Sequence, residues 1–121
     1  MIKLTFCLRR APHLTREEFQ RYWLEHHGPL VRASVAALRI RRYVQSHTVT
    51  TPVNEALRRG RGAPDVYDGV AELWWDSLED FTAAGATPEG REAGRRLLED
   101  ERRFIDLAAS PLWLTEEHAI V

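Results

Sequence analysis

Two adjacent histidines stand where a helix meets a glycine and a proline, in the segment Tyr22-Trp23-Leu24-Glu25-His26-His27-Gly28-Pro29-Leu30-Val31. Neutral imidazole is the usual proton shuttle near pH 7, so this segment can supply a general base or acid. Adjacent helical residues point about 100° apart, so His26 and His27 cannot both aim at one spot. The plainer alternative is that the pair caps the helix C-terminus, where imidazolium interacts with the helix dipole. A third candidate is Glu101, near the middle of the apolar stripe formed by Leu97, Leu98, Phe104, Ile105 and Ala108. A carboxylate facing a sheet must be paired, hydrogen-bonded or protonated, and a protonated one is a tuned acid. The competing reading tilts the helix so that Glu101 reaches an arginine at the rim. Tyr43, Gln45 and His47 share one face of a strand, where a hydroxyl and an amide can orient or polarise a ligand oxygen. That face can equally be an amphipathic edge with wet polar tips. Trp23, Trp75 and Trp113 read as core residues rather than as a cofactor box.

These residues need a scaffold, and the spacing of apolar residues predicts one. Ile2, Leu4, Phe6 and Leu8 alternate with Lys3, Thr5, Cys7 and Arg9, as in a strand with one apolar face. Thr15 with Glu18 forms a capping box for a helix from about Arg16 to His27, which Gly28-Pro29 interrupts. Pro29 can open a second segment through Leu38. Ile40 to Val49 reads as a second strand, and Thr50 to Asp65, with Pro52, Gly60, Gly62 and Pro64, as a loop. Val66 to Asp76 is a third strand, in which Trp74 and Trp75 must point opposite ways. Ser77 caps a short helix through Ala84. Thr87 and Pro88 start a long one that ends near Ala109, and Pro111 to Ile120 closes the chain as a strand. The order β-α-β-β-α-β, over one domain of residues 1–121, predicts an α+β, ferredoxin-like sandwich. Such a sheet carries both helices on one face, and a second copy is the simplest cover for the other, so a homodimer is expected.

Composition excludes several function classes. With 17 basic and 18 acidic residues the formal charge is −1, and nothing calls for nucleic acid or an acidic lipid surface. Arg39, Arg41, Arg42, Arg58 and Arg59 read as solvated edges rather than a binding patch. The lone Cys7 precludes an internal disulfide and a Cys-rich zinc site, and reads as a small core residue. No ligand set has metal spacing, so neither metal nor cofactor is expected. No apolar run approaches a membrane span or a signal peptide, and a cytoplasmic location is expected. Gly60-Arg61-Gly62 lacks the setting of a phosphate loop, and no Gly-x-Ser-x-Gly elbow is present.

Read together, these blocks resemble the EthD-like family. They are Leu14-Thr15-Arg16-Glu17-Glu18-Phe19, Tyr22-Trp23 with His27-Gly28-Pro29-Leu30, and Arg41-Arg42-Tyr43-Val44-Gln45. Tyr67-Asp68-Gly69-Val70-Ala71-Glu72-Leu73-Trp74, Thr87-Pro88-Glu89-Gly90 and Asp100-Glu101 with Phe104-Ile105-Asp106 follow in order. The resemblance implies a dimeric α+β barrel, sheets face to face, with a small pocket between sheet and helices. Relatives include cofactor-free lactone isomerases and polyketide-tailoring cyclases, decarboxylases and dehydratases. Others have no established activity and accompany degradation of small organics. By its place before Gly28-Pro29, His27 matches the family's pocket histidine, although the helical wheel slightly prefers His26, and Tyr43 matches the strand tyrosine. The reading is a cofactor-independent isomerase, cyclase or lyase acting on a small apolar oxygenated molecule. His27, Tyr43 and Glu101 are its candidate catalytic residues; Tyr22, Trp23, His26, Gln45, His47 and Trp75 are its candidate substrate contacts. The alternatives are a non-catalytic dimer that binds a small ligand or assists a neighbouring enzyme, and a purely structural dimerisation module. The segment from Thr50 to Asp65 is expected to shape the pocket mouth.

Overall fold

Strand β1 (Ile2–Leu8) forms where the period-two pattern predicts it, and it becomes one of the two inner strands of a four-stranded sheet. A computed structural model describes residues 1–121. The other strands are β2 (Arg42–His47), β3 (Gly69–Trp75) and β4 (Leu112–Glu116), in the order β2-β3-β1-β4 with every pair antiparallel. Helices α1 (Arg16–Tyr22) and α2 (Gly28–Leu38) lead from β1 to β2, and α4 (Leu78–Ala86) and α5 (Pro88–Phe104) from β3 to β4. This is the ferredoxin-like α+β arrangement.

Register decides which side chains face the helices. Leu4 pairs with Leu73, which pairs with Tyr43; Phe6 pairs with Ala71, which pairs with Gln45. Paired antiparallel residues share a face, so Tyr43, Gln45 and His47 lie on the helix side with Trp75 and the apolar row of β1. Lys3, Thr5 and Cys7 lie on the opposite face with Arg42, Glu72, Trp74 and Trp113. Cys7 is therefore a half-buried outer-face residue and not part of the core under the helices. Trp74 is buried there by Lys3 and Arg42, whose cationic groups sit over its ring, and its indole N–H donates to Glu117.

Under the helices Trp23, Phe19, Phe104 and Leu8 are the largest fully buried side chains. Each contributes on the order of 1.5–3 kcal/mol of burial free energy. Gly69 permits part of this packing, because a Cβ there would come within 2.5 Å of the Trp23 ring.

Several element boundaries depart from the sequence reading. Gly28-Pro29 does not interrupt the first helix. Residues Trp23–His27 form a π-helical turn, with Gly28 N–H donating to Trp23 O, and the helix runs on into α2. Widening one turn accommodates a residue without an N–H inside the helix. The segment expected as a loop contains helix α3 (Pro52–Arg61), capped by the Thr51 side chain and closed by Gly62 at φ 61°. No residue of α3 is buried. Helix α5 stops at Phe104 instead of Ala109, because Ile105 turns extended and bridges to Arg10. A short 3₁₀ turn (Leu107–Ala109) follows. Backbone bonds from Ala11 N to Phe104 O and from Asp106 N to Arg9 O take the place of continued helix.

Candidate active site

An apolar cavity of about 210 Å³ lies between the sheet and α2 and α5. This is smaller than the 300 Å³ or more common for ligand pockets. Leu4, Phe6, Trp23, Val31, Leu73, Trp75, Phe81 and Leu97 contribute to its walls. Three polar side chains reach it from three different elements: His27 from the π turn, Tyr43 from β2 and Glu101 from α5.

The two histidines occupy different environments. His27 is buried, and its Nδ1 lies 2.7 Å from Asp100 Oδ2. His26 is exposed, stacks on Tyr22 at 4.6 Å between ring centroids, and keeps its Nδ1 3.4 Å from Asp100 Oδ1. His27 is thus an interior residue of a continuous helix and not a helix-end cap, so its removal costs more than the capping reading implies. Burial lowers the pKa of His27, outweighing the upward pull of Asp100. Burial also pushes Asp100 upward, but hydrogen bonds from Tyr22 and His27 outweigh it and hold this carboxyl below its usual range. At neutral pH the pair is then a neutral imidazole donating Nδ1–H to a carboxylate, which leaves Nε2 as a base.

Asp100 is the residue of this cluster that sequence reasoning did not single out. It is buried and gathers Tyr22 Oη–H (2.5 Å), His27 Nδ1–H and Arg103 Nη1 (3.4 Å) around its two oxygens. The signal was available in the spacing: Ala93, Leu97, Asp100 and Phe104 form the buried line of α5, with Glu101 on its flank. Leu98, assigned to the stripe, is 41% exposed.

Glu101 has no hydrogen-bonding partner among the influences on its charge. Burial, with the neighbouring Asp100 charge added, raises its pKa to about 7. Burial also raises Tyr43, opposed by the hydrogen bond from Gln45 Nε2 to Tyr43 Oη at 2.8 Å. The same amide donates to Trp23 O at 2.9 Å, and Gln45 Oε1 meets His47 Nε2 at 2.8 Å. His47 stacks on Trp23 at 4.5 Å, and burial lowers its pKa. Of the candidate substrate contacts, Trp23 and Trp75 line the cavity, whereas Tyr22, His26, Gln45 and His47 do not. Tyr22 acts on Asp100, while Gln45 and His47 stand behind Tyr43 and Trp23.

Residues 50–65 also stay out of the cavity wall. Part of the segment, Thr51 and Arg59 included, borders a separate open basin of about 820 Å³ together with Arg9, Arg16 and Asp68. Its buried carboxylate is already matched, Asp68 by Arg10 at 2.6 Å and Arg16 at 3.0 Å. No group of three or more histidine, cysteine or acidic side chains is arranged to hold a metal ion. No helix is long and apolar enough to cross a membrane.

Residues 11–108 match the model of the EthD domain. No curated protein matches the chain. Among solved structures it is similar to an ethyl tert-butyl ether D (EthD) family protein from Bacillus halodurans C-125. Identity is 22%, coverage 98% of this chain and 99% of that one, and the TM-score 0.64. An EthD-like protein from Ralstonia eutropha JMP134 is 20% identical over 99% of this chain and 94% of that one, with a TM-score of 0.63. A dimeric protein of unknown function and ferredoxin-like fold from Bacteroides fragilis NCTC 9343 is 13% identical over 96% and 95%, with a TM-score of 0.59. Identities this low carry the fold alone.

Proposed function

Because this chain belongs to the EthD family, we propose that it is a cofactor-independent acid–base enzyme acting on a small, mostly apolar molecule with an enolisable or phenolic oxygen. The observation that carries this reading is the meeting of a neutral imidazole, a carboxyl with a pKa of about 7 and a buried phenol in one apolar cavity. An imidazole kept neutral by burial and a carboxyl that titrates at about 7 supply the base and the acid that a proton shift at constant pH requires.

In this reading His27 Nε2 takes a proton from the carbon next to the substrate's carbonyl carbon. Tyr43 Oη–H, oriented by Gln45, donates to that oxygen as charge develops on it. Glu101 in its acid form returns a proton elsewhere on the substrate. His27 then ends protonated and Glu101 ionised, and a proton passed between them resets the site. Asp100 is a positioning residue: it fixes the His27 tautomer and stabilises the imidazolium. Isomerisation uses the whole pattern, cyclisation and dehydration use the base with the oxygen donor, and decarboxylation uses the oxygen donor and the acid. A homodimer through the outer sheet face is part of the same proposal, supported by the half-exposed Trp113 on that face and by the dimeric ferredoxin-like neighbour.

The test is solvent exchange. Enolisable lactones and phenols are incubated with the protein in heavy water, and deuterium incorporation is followed by NMR. Wild type should exceed the buffer rate for at least one class, and His27→Ala and Glu101→Gln should each lose about 10²-fold or more. Exchange that persists in both variants, or that wild type never accelerates, would refute the reading. Sedimentation showing a stable monomer at micromolar concentration would remove the dimer.

A further inference from the structure

The cavity has a second end. Glu101 and Gly94 both line it from α5, seven residues apart, which is about 10 Å along a helix. Gly94 is the seventh of the seventeen residues of α5, well inside the helix. Glycine there costs about 1 kcal/mol relative to alanine. Packing does not demand it, since a Cβ on Gly94 would meet no atom within 4 Å. Gly90, one turn earlier, differs: its Cβ would fall 1.8 Å from Ala84 O. Gly60 and Gly85 also face open space, but each lies in the last turn of its helix, and neither lines the cavity. Gly94 alone combines a mid-helix position, free space and a place in the cavity wall.

The surroundings say what that space suits. Leu98, one turn beyond Gly94, lines the cavity while 41% exposed, and Leu97 beside it clusters with Trp75, Val31 and Ile40, with Phe81 packed against them. An apolar rim open to water takes hydrocarbon and offers a charged group no partner. We infer that Gly94 is a specificity-determining position, keeping open the cavity end remote from His27 and Glu101 for the apolar tail of a ligand whose oxygen-bearing head lies between them. The inference rests on the proposed use of this cavity as the substrate site.

Phenol and 4-pentylphenol are the probes, one the head alone and the other head and tail. Binding is read from the fluorescence of Trp23 and Trp75 in the cavity wall, with thermal unfolding as the folding control. Gly94→Ala should bind both phenols within about two-fold of wild type. Gly94→Leu should keep phenol within about two-fold and weaken 4-pentylphenol at least ten-fold. Gly94→Met, unbranched and adaptable, should behave as Gly94→Leu and serves if that variant does not fold. If the folded variants bind 4-pentylphenol as wild type does, or lose both phenols equally, the role of Gly94 is overturned while the cavity reading stands. If wild type binds neither phenol, the cavity reading fails and this inference with it.

Discussion

Replacing Glu101 by glutamine should make the protein more stable, by an amount that depends on pH. In the unfolded chain this carboxyl titrates near 4.5; in the folded chain burial and the Asp100 charge raise it to about 7. Between those values the folded state holds more protons than the unfolded state. Wild-type stability therefore falls as pH rises from 4.5 through 7, and the cost is complete above 7. A difference of about 2.5 pK units corresponds to about 3 kcal/mol. Glutamine keeps the shape and cannot ionise. The gap between variant and wild type should thus be small at pH 4 and reach about 3 kcal/mol at pH 8, or on the order of 10 °C in Tm for a chain of this size. Asp100, His27 and Tyr43 face the same carboxyl and titrate in both proteins, so their contributions largely cancel in the comparison. Thermal unfolding of both at pH 4, 6 and 8 measures the gap. A gap that does not change with pH, or a variant less stable than wild type at pH 8, would show that Glu101 is not held as a near-neutral acid.

Three further outcomes follow from the site and its helix. His27→Ala should cost about 1–3 kcal/mol in denaturant unfolding, because it leaves Asp100 Oδ2 without a donor, and should abolish proton exchange; exposed His26→Ala should stay within about 0.5 kcal/mol and keep exchange. Asp100→Asn should lower the His27 titration midpoint seen by NMR, since the carboxylate is what opposes burial there, and should slow exchange about ten-fold or more; an unmoved midpoint removes the positioning role. Gly90→Ala should cost about 1–3 kcal/mol in thermal unfolding because its Cβ meets the Ala84 carbonyl, and a neutral result would mean that α4 and α5 slide apart freely.

The sheet and its helix side were legible because strand patterns of period two and side-chain caps act locally. The β1 alternation and the caps at Thr15, Ser77 and Thr87 form as the sequence predicts. Helix α3 was hidden by composition: Thr51-Pro52 and Gly62 are its start and stop signals, but its polar, arginine-rich interior also suits a loop. The early end of α5 was hidden because the bonds that end it come from residues 9–11, far away in the chain. Of the site, Glu101 was visible as a carboxylate on an apolar stripe. Asp100 was not singled out, because its role depends on a partner 73 residues away, His27, meeting it across two helices. The bond from Gln45 to Tyr43 is local to one strand face, but that this face turns toward the helices needs the register of β2 on β3.

The π turn at Trp23–His27 bears on how this chain tolerates changes in its own length. Elsewhere in a helix, deleting one residue swings every later side chain by about 100° and takes its buried stripe out of the core. A π turn is a helix that carries one residue more than the α period uses. Loss of exposed Leu24 or Glu25 would therefore tighten the turn to α geometry and leave Val31 and Ser34 on their buried side. A one-residue deletion here keeps the later helix in register, at the cost of setting the Pro29 ring against the carbonyl four residues before it. Across such an indel, an alignment anchored on Thr15 and Phe19 would set His26 of this chain against the buried histidine of a shorter one. Counting back from Gly28-Pro29 keeps His27 in the right column.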